Sequence, residues 1–318
     1  MIAVIGEALI DLVLDHDGHI AARPGGGPFN TARTIGRLGL APAFLDRLSA
    51  DGFGRMLRAS LDRDGVTPGV SQLTDAPTTL AIVDIDQAGA PEYRFYLAGT
   101  SAAALEYSLL RAALPAGVTV LHAGALALVM EPIAAGIERL IAGDLPPDTL
   151  VMIDPNCRPQ AISDRQAYLA RLSRILRRTD VVKASVEDLA YLFPDVPART
   201  AAVTLLDEGP ALVLVTDGPR TARAFLPGQQ EITVAVPAVQ VVDTIGAGDA
   251  FGGAFLAWWS GSELGRSDLR RPDPIREALE AAVEVASLTC TRVGAEPPWL
   301  AEVSGRPGWP CTAQRGRG

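Results

Sequence analysis

Short runs of consecutive apolar residues alternate along the chain with longer segments in which apolar positions recur every three or four residues. The apolar runs predict strands at Ile2–Ile5, Pro42–Leu45, Val118–His122, Leu150–Ile153, Val181–Lys183 and Ala211–Thr216. The periodic segments predict helices at Asn30–Leu38, Gly54–Asp64, Pro132–Ala142, Arg165–Arg177, Val186–Phe193 and Thr200–Asp207. Continuously apolar strands separated by amphipathic helices indicate a parallel sheet covered by helices on both faces. The predicted fold class is therefore α/β, with a doubly wound, mostly parallel sheet.

Two segments, Leu12–Arg23 and Thr79–Leu97, depart from this alternation. Each has the pattern of two strands joined by a polar turn, which is typical of a hairpin. Such strands form either a small separate β-sheet over the main domain, called the lid below, or an antiparallel edge of the main sheet. The pattern alone leaves both arrangements open.

The composition fits one large domain. The chain has 318 residues, of which 48% are hydrophobic and 20% charged, enough for a full core. We expect this domain to span residues 1–302. The remaining segment, 303–318, is rich in Gly, Pro and Arg and is expected to be a mobile tail.

Charge and cysteine usage indicate a cytoplasmic protein that does not bind nucleic acid or membranes. The net charge of −9 disfavours non-specific binding to nucleic acid or to an anionic membrane surface. No apolar run reaches the roughly 18 residues of a membrane span, and the N-terminus lacks the basic region of a signal peptide. The three scattered cysteines, Cys157, Cys290 and Cys311, fit a reducing compartment without a disulfide framework or a zinc cluster.

Lys183 is the only lysine in the chain. A Walker A loop needs Gly-Lys-Ser/Thr, and a protein kinase needs a strand lysine, and the sequence contains neither motif. If the protein handles nucleotide phosphates, it must therefore use backbone N–H groups, arginine or a metal ion.

The stretch Gly246-Ala247-Gly248-Asp249 lies between a valine-rich run, VAVPAVQVV, and a run with helical spacing, AFGGAFLAWW. We therefore expect a strand-to-helix turn, in which the first N–H groups of the helix point outward and form an anion site. A carboxylate beside such a site would repel a bound phosphate. The role of Asp249 thus needs an explanation.

Three interpretations of Asp249 are open on the residues alone. It is an acid that only complements the helix dipole, or part of a dinucleotide-binding loop, although Phe251 occupies the third glycine position of that fingerprint. In the third interpretation a substrate hydroxyl lies between Asp249 and the terminal phosphoryl group of a nucleotide. The carboxylate then takes the hydroxyl proton while the N–H groups bind the phosphoryl oxygens.

Two blocks resemble signatures of the ribokinase-type (PfkB) carbohydrate kinases. Asp243–Phe251 matches the Asp-Thr-x-Gly-Ala-Gly-Asp-x-Phe signature, and Gly25–Gly39 (GGGPFNTARTIGRLG) matches a glycine-rich turn followed by an asparagine and a helix. The resemblance implies a ribokinase-like fold and phosphoryl transfer from ATP to a sugar hydroxyl. The residues that it assigns to catalysis are Asp249 as the base and Gly246, Ala247, Gly248 and Asp249 for their backbone N–H groups.

The resemblance also implies the residues that hold the sugar and the nucleotide. The sugar-binding residues are Asp11, Gly26, Gly27 and Asn30, joined by Asn156 or Arg158 of the DPNCRP block. The nucleotide-binding residues are Lys183, Thr216, Gly218, Gly246 and Gly248. Ser185 stands where ribokinases have an asparagine, so Asp188 or the neighbouring Glu187 is expected to act on Mg²⁺ through water. Many members of the family also bind K⁺ through backbone oxygens beside the turn.

Within the family, the sequence most resembles the bacterial fructokinases, so fructose is the expected acceptor of the phosphoryl group. Ketodeoxygluconate kinases usually place an arginine just after the aromatic pair of the lid, but here Phe95-Tyr96 is followed by Leu97-Ala98 and preceded by Arg94. A neutral sugar is therefore favoured over a sugar acid. A nucleoside would need a slot for its base, for which only Phe29 is a candidate. A homodimer through the lid is expected from the resemblance.

Two functions outside the sugar kinases are the alternatives. They are a dinucleotide-dependent oxidoreductase and a non-catalytic sugar-binding regulator.

Overall fold

The computed structural model describes residues 1–14, 18–85, 91–303, 305 and 309. The tips of both predicted lid hairpins and Cys311 lie outside these residues. Thirteen strands run through the described part, at Ile2–Ile5 (β1), Leu9–Leu14 (β2), Ile20–Gly25 (β3), Ala43–Leu45 (β4), Thr67–Pro68 (β5), Thr79–Ile85 (β6), Pro91–Tyr96 (β7), Val120–Gly124 (β8), Leu150–Asp154 (β9), Val181–Ser185 (β10), Leu212–Thr216 (β11), Thr221–Phe225 (β12) and Ile232–Ala235 (β13).

The α-helices connect these strands and flank the sheet. They span Gly27–Arg37 (α1), Gly52–Arg63 (α2), Tyr107–Ala113 (α3), Ile133–Arg139 (α4), Arg165–Leu176 (α5), Val186–Leu192 (α6), Ala198–Asp207 (α7), Ala247–Gly261 (α8), Pro272–Thr289 (α9) and Leu300–Val303 (α10). All six predicted helices and all six predicted strands are present, with ends shifted by a few residues.

Nine strands form the main sheet, in the order β13-β12-β11-β10-β9-β8-β1-β4-β5. The ladders from β11 to β5 are parallel, and the two ladders that involve β12 and β13 are antiparallel. One hydrophobic cluster packs α1, α2, α8 and α9 on one face, and a second packs α3 to α7 on the other. The doubly wound α/β prediction is therefore confirmed.

The lid is a separate four-stranded sheet, in the order β3-β2-β6-β7. Of the two arrangements left open by the sequence, the structure shows the separate sheet. Strand β2 pairs in parallel with β6, while β3 and β7 flank this pair in antiparallel ladders. Asp11, Arg23, Ala81 and Phe95 occupy one row of this register and therefore lie on the same face.

The strand predicted immediately before the glycine turn is wrong in its C-terminal end, because it stops several residues before the valine-rich run does. Strand β13 ends at Ala235, and residues 236–246 have neither helical nor strand structure. Pro237 has no N–H to donate to a ladder, and the valine run beyond it is not covered, since Val241 is 58% exposed and Val242 is 54% exposed. Helix α8 is therefore entered from a loop that crosses the end of the sheet.

The last described residues lie close to the core. Val303 at the end of α10 is fully buried, and Trp309 packs against the cluster that contains α8 and α9. The rest of 303–318, apart from Gly305, lies outside the described residues, so its mobility stays a prediction. No helix in the described ranges is long and apolar enough to cross a membrane.

Candidate active site

The predicted site residues meet where the parallel strands end, beneath the lid. Asn156 follows β9, Ser185 and Thr216 are the last residues of β10 and β11, and Asp249 lies in the first turn of α8. Carboxyl ends of parallel strands meet at one edge of a sheet, which is where open α/β sheets bind their ligands. The lid contributes Asp11 from β2.

The first turn of α8 has the geometry of an anion site. Gly246 adopts φ = +78°, and a Cβ there would lie 2.4 Å from the Cβ of Ala295, so only glycine suits the position. The Ala247 N–H donates to the Thr244 carbonyl at 3.2 Å. The predicted set of four N–H groups is therefore reduced to three. Those of Gly246, Gly248 and Asp249 have no acceptor in the described part of the chain.

Asp249 is buried, and its carboxylate is held by amides from two other elements. Asn30 Nδ2 donates to Oδ2 at 2.9 Å, and Asn156 Nδ2 donates to Oδ1 at 3.3 Å. Burial raises the pKa of Asp249, while the hydrogen bond from Asn30 and the charges of Lys183 and Arg158 lower it. The carboxylate thus faces the cleft in a fixed orientation, with its acidity set by groups from three further elements.

The glycine-rich segment before α1 brings backbone close to this carboxylate. Gly26 has φ = +109°, and a Cβ there would lie 2.4 Å from the Glu7 carbonyl oxygen. A Cβ at Gly27 would lie 3.0 Å from Asn156 Nδ2 and 3.4 Å from Asp249 Oδ1. The missing side chains therefore leave open the space directly in front of Asp249. The Asn30 Oδ1 atom borders the same region and is buried without a partner in the described residues.

The lid adds a second carboxylate to the same cleft. Asp11 has its pKa raised to about 7, first by burial and then by the charge of Asp249, while the charges of Arg158 and Arg23 lower it. Arg158 lowers the pKa of both carboxylates, so it lies within electrostatic reach of each. Its guanidinium is only partly buried and donates to the Cys157 carbonyl at 3.2 Å. The structure therefore brings Asp11, Arg158 and Asp249 together.

Asp188 is engaged in local structure. Its Oδ1 accepts from the Cys157 N–H at 2.6 Å, and its Oδ2 accepts from the Ser185 N–H at 2.8 Å. The Ser185 hydroxyl in turn caps α6 by accepting from the Asp188 N–H. Glu187, the other predicted metal residue, is exposed. Across the described ranges no group of three or more His, Cys, Asp or Glu side chains is placed to hold a metal ion.

The predicted nucleotide residues after β11 form an open rim. Thr216 is half-buried, and Gly218 is exposed with φ = +52° and no atom within 4 Å of a Cβ at that position. Between them Asp217 pairs with Arg220 and with Arg223, which stiffens the turn. This leaves space for a ligand over the turn.

The sequence matches one family along nearly its whole length. A model of the pfkB family of carbohydrate kinases covers residues 1–301. The chain belongs to this family. A carbohydrate kinase is a phosphotransferase, so the two alternatives from another class, an oxidoreductase and a non-catalytic regulator, are dropped. The family resemblance expected from the two signature blocks is confirmed.

The relatives of this carbohydrate kinase include several fructokinases. Fructokinase of Rhizobium leguminosarum bv. trifolii is 34% identical over 262 residues, covering 81% of this chain and 79% of the relative. Fructokinase-1 of Oryza sativa subsp. japonica is 32% identical, with 95% of each chain covered. The solved structure of fructokinase from Xylella fastidiosa with bound ATP has a TM-score of 0.85 at 28% identity, covering 95% of this chain and 96% of that one.

Sequence reasoning about this kinase missed Glu7, which lies two residues after β1. The side chain is 1% exposed, and it joins two segments that line the cleft. Its Oε1 accepts from the Gly27 N–H at 3.2 Å, and its Oε2 accepts from the Ala127 N–H at 3.0 Å. Burial raises the pKa of Glu7 to about 8. The only signal in the sequence was a lone acid directly after an apolar first strand.

Sequence reasoning also missed the partner of Lys183 in this kinase. The side chain is 3% exposed, and Nζ donates to Asp154 Oδ2 at 2.9 Å. The ammonium therefore lies under the cleft and not at its surface, where a direct contact with the nucleotide had been expected. Burial raises the pKa of Asp154 to about 6 in spite of the Lys183 charge, which lowers it.

The proposed base-stacking residue for a nucleoside is unavailable in this kinase. Phe29 is fully buried and packs edge-on against Phe44. The aromatic rings on the cleft-facing rows of the lid are Tyr93 and Phe95, which stack with their ring centroids 6.0 Å apart. The geometry therefore gives a nucleoside no support through Phe29.

Proposed function

We propose that the protein is an ATP-dependent fructokinase in which Asp249 is the general base. The observation that carries this proposal is the position of the buried Asp249 carboxylate. Asn30 and Asn156 fix it beside three N–H groups of the α8 turn that have no acceptor among the described residues. Such a pair of features suits transfer of a phosphoryl group and not storage of a phosphate. The choice of fructose is supported by the fructokinases among the relatives and by the fructokinase of Vibrio cholerae O395, solved with fructose, ADP and calcium, which has a TM-score of 0.81 at 28% identity.

In the proposed step, a sugar hydroxyl donates its hydrogen bond to Asp249. The hydroxyl oxygen attacks the γ-phosphorus in line, the new O–P bond forms, and the bond between the γ-phosphorus and the bridging oxygen breaks. Asp249 takes the hydroxyl proton and later returns it to solvent, while ADP leaves. The N–H groups of Gly246, Gly248 and Asp249 bind the equatorial oxygens, whose charge is delocalised in the transition state.

The remaining sugar contacts follow from the unpaired polar groups of the cleft. Asp11 is an acceptor for two neighbouring sugar hydroxyls, and the buried Asn30 Oδ1 accepts a third. Gly26 and Gly27 leave the space that the sugar ring occupies. Asn156 orients Asp249, and the charge of Arg158 lowers the pKa of both carboxylates.

The nucleotide lies over the rim formed by Thr216 and Gly218, with its phosphates directed to the α8 turn. When bound, Mg²⁺ neutralises charge on the phosphates. Phosphate oxygens and waters would hold the ion, and Glu187 and Asp188 would contact it through those waters. A K⁺ ion held by backbone oxygens beside the turn is also proposed. It predicts slower turnover when tetramethylammonium replaces K⁺ in the assay.

The oligomeric state and the cellular compartment are also proposed. The outer rows of the lid expose Ile20 (66%) and Tyr96 (55%), which suits pairing with a second copy of the lid in a homodimer. Cys157 and Cys290 are free thiols, as suits a cytoplasmic enzyme. The homodimer is tested by sedimentation of the wild-type chain and an Ile20→Glu variant, and a wild-type monomer would contradict it.

The function is tested by measuring ADP release with a panel of acceptors. The panel consists of fructose, other hexoses, ribose, 2-keto-3-deoxygluconate and adenosine, each with ATP and Mg²⁺. The proposal predicts the highest kcat/KM with fructose, and a product in which one fructose hydroxyl is phosphorylated. A higher kcat/KM for 2-keto-3-deoxygluconate or adenosine would refute the assignment of the substrate.

A further inference from the structure

The chain uses lysine at one position only. Of its 28 basic residues counted as Lys and Arg, 27 are arginines and one is Lys183. Arginine therefore serves at every other position that carries one of these two residues, while β10, which ends at the active site, carries a lysine at its third position. This contrast indicates that the ammonium group at this position has a role that a guanidinium does not fill.

The Lys183 ammonium lies directly under the turn that forms the anion site. An ideal Cβ on Gly248 would be 2.9 Å from Nζ and 3.8 Å from Cε, so the side chain ends against the backbone of Gly248. Asp154 Oδ2 accepts from Nζ at 2.9 Å on the other side. A compact ammonium fits between these two groups, whereas a planar guanidinium would need more room.

The groups that face Lys183 come from four elements. They are His122 on β8, Asp154 on β9, Asp188 on α6 and Asp249 on α8. Burial, together with the charge of Lys183, lowers the pKa of His122 to about 3, so the imidazole is neutral. Lys183 is therefore the cation that the other three groups, all carboxylates, share.

We propose that Lys183 is a positioning residue of the phosphoryl site, whose buried ammonium supports the positive potential of the Gly246–Asp249 turn from below without touching the nucleotide. This inference rests on the proposed phosphoryl transfer at that turn. The charge acts through the backbone of Gly248, close to where negative charge develops, and it lowers the pKa of Asp249, which favours the ionised form that a base requires. Asp154 holds the ammonium in place.

A single lysine makes this proposal directly measurable. In a protein labelled with [¹⁵Nζ]lysine, one side-chain resonance reports on Lys183 alone, and its ammonium protons exchange slowly because the group is buried. We expect the resonance to shift on saturation with ADP and Mg²⁺, and to shift further with a non-hydrolysable ATP analogue plus fructose. A resonance unchanged by both ligand sets would overturn the proposal.

Two variants separate the electrostatic role from a structural one. Lys183→Met keeps the aliphatic stem and removes the charge. Arg178→Met removes a partly buried cation that pairs with Asp180 at 3.1 Å, at the opposite end of β10. For Lys183→Met we expect kcat to fall on the order of 10- to 100-fold, with the fructose KM within threefold. The acid limb of its kcat/KM profile should move to higher pH, since the Lys183 charge lowers the pKa of Asp249.

Arg178→Met should change thermal stability and leave the pH profile in place. Equal effects of the two substitutions on kcat would show that Lys183 has a structural role only. An acid limb that stays in place in Lys183→Met would show the same. If Lys183→Met does not fold, the proposal is tested by whether the Lys183 resonance of the wild-type protein shifts when the ligands bind. A nucleotide-dependent shift without ADP release on any sugar would support the position of Lys183 and refute the proposed function instead.

Discussion

Glu7→Gln tests whether a buried acid holds the two walls of the cleft together. In the wild-type chain both carboxylate oxygens accept backbone N–H groups, from Gly27 and from Ala127. Glutamine keeps the shape but offers one acceptor, so one of these N–H groups faces an NH₂ group. An unpaired buried N–H costs about 1–3 kcal/mol. At pH 6 the wild-type side chain is protonated, but its hydroxyl oxygen can still accept an N–H group, whereas the NH₂ group of glutamine cannot. The variant should therefore be less stable than the wild type by up to this amount at pH 6.

The larger effect is on the pH dependence of stability. The pKa of Glu7 is raised from 4.5 to about 8 in the folded chain. An acid with a raised pKa binds its proton more tightly in the folded state than in the unfolded chain, so stability falls as the pH rises from about 4.5 to 8. Between pH 6 and pH 8 this fall is about 2 kcal/mol for one group, at 1.36 kcal/mol per pKa unit, because half of the folded chains still hold the proton at pH 8. The Glu7→Gln variant should lack this fall in the free energy of unfolding.

The assay is urea unfolding of both proteins at pH 6, 7, 8 and 9. The difference in the free energy of unfolding, wild type minus variant, should shrink by about 2 kcal/mol between pH 6 and pH 8 and then change sign or vanish. The pKa of Asp46 is also raised, to about 7, and its charge raises the pKa of Glu7, so the difference between the two proteins includes this coupling. Glu280→Gln, an exposed change on α9, is the matched control. Parallel pH profiles for the wild type and Glu7→Gln would refute the reasoning.

Further predictions concern the turn and the amide beside Asp249. Gly246→Ala should cost about 1–3 kcal/mol of stability and abolish turnover, because its φ is +78° and its new Cβ would lie 2.4 Å from that of Ala295. Gly228→Ala has φ = +67° and no neighbour within 4 Å, so it should cost about 1–2 kcal/mol and keep kcat; equal kinetic losses in both variants would contradict this. Asn30→Leu should raise the fructose KM about tenfold. The acid limb of kcat/KM should move to higher pH, because the variant loses the Asn30 hydrogen bond that lowers the pKa of Asp249 in the wild type. Unchanged kinetics would show that Asn30 is structural.

The layers of the fold could be predicted because they depend on local patterns. Strand Ile2–Ile5 is apolar throughout and strand Leu150–Asp154 is apolar up to Ile153, and such runs are typical of strands buried in a parallel sheet. The run VAVPAVQVV misled because valine content says nothing about a partner strand. Pro237 interrupts the ladder, and Val241 and Val242 face solvent. The separate lid could not be told from a sheet edge without knowing which strands pair.

The site could be predicted as far as its motifs reach. Asp249 and Asn30 are 219 positions apart, and they were assigned to one cleft only through the family resemblance. Glu7 acts through backbone groups 20 and 120 positions away, and no sequence pattern marks a backbone donor. The motif predicted a water-mediated metal role for Asp188, but it could not predict that its oxygens also accept the N–H groups of Cys157 and Ser185. Contacts to the backbone are therefore the part that sequence reasoning could not supply.

The central claim, that Asp249 is the base of a phosphoryl transfer to fructose, is tested most directly by Asp249→Asn. The measurement is the kcat of ADP release with saturating fructose and ATP, together with fructose affinity by calorimetry. The account predicts that kcat falls on the order of 10²- to 10⁴-fold while the fructose Kd changes less than threefold, since asparagine keeps the size of the side chain but cannot take the proton. Near-full turnover in Asp249→Asn would contradict the account.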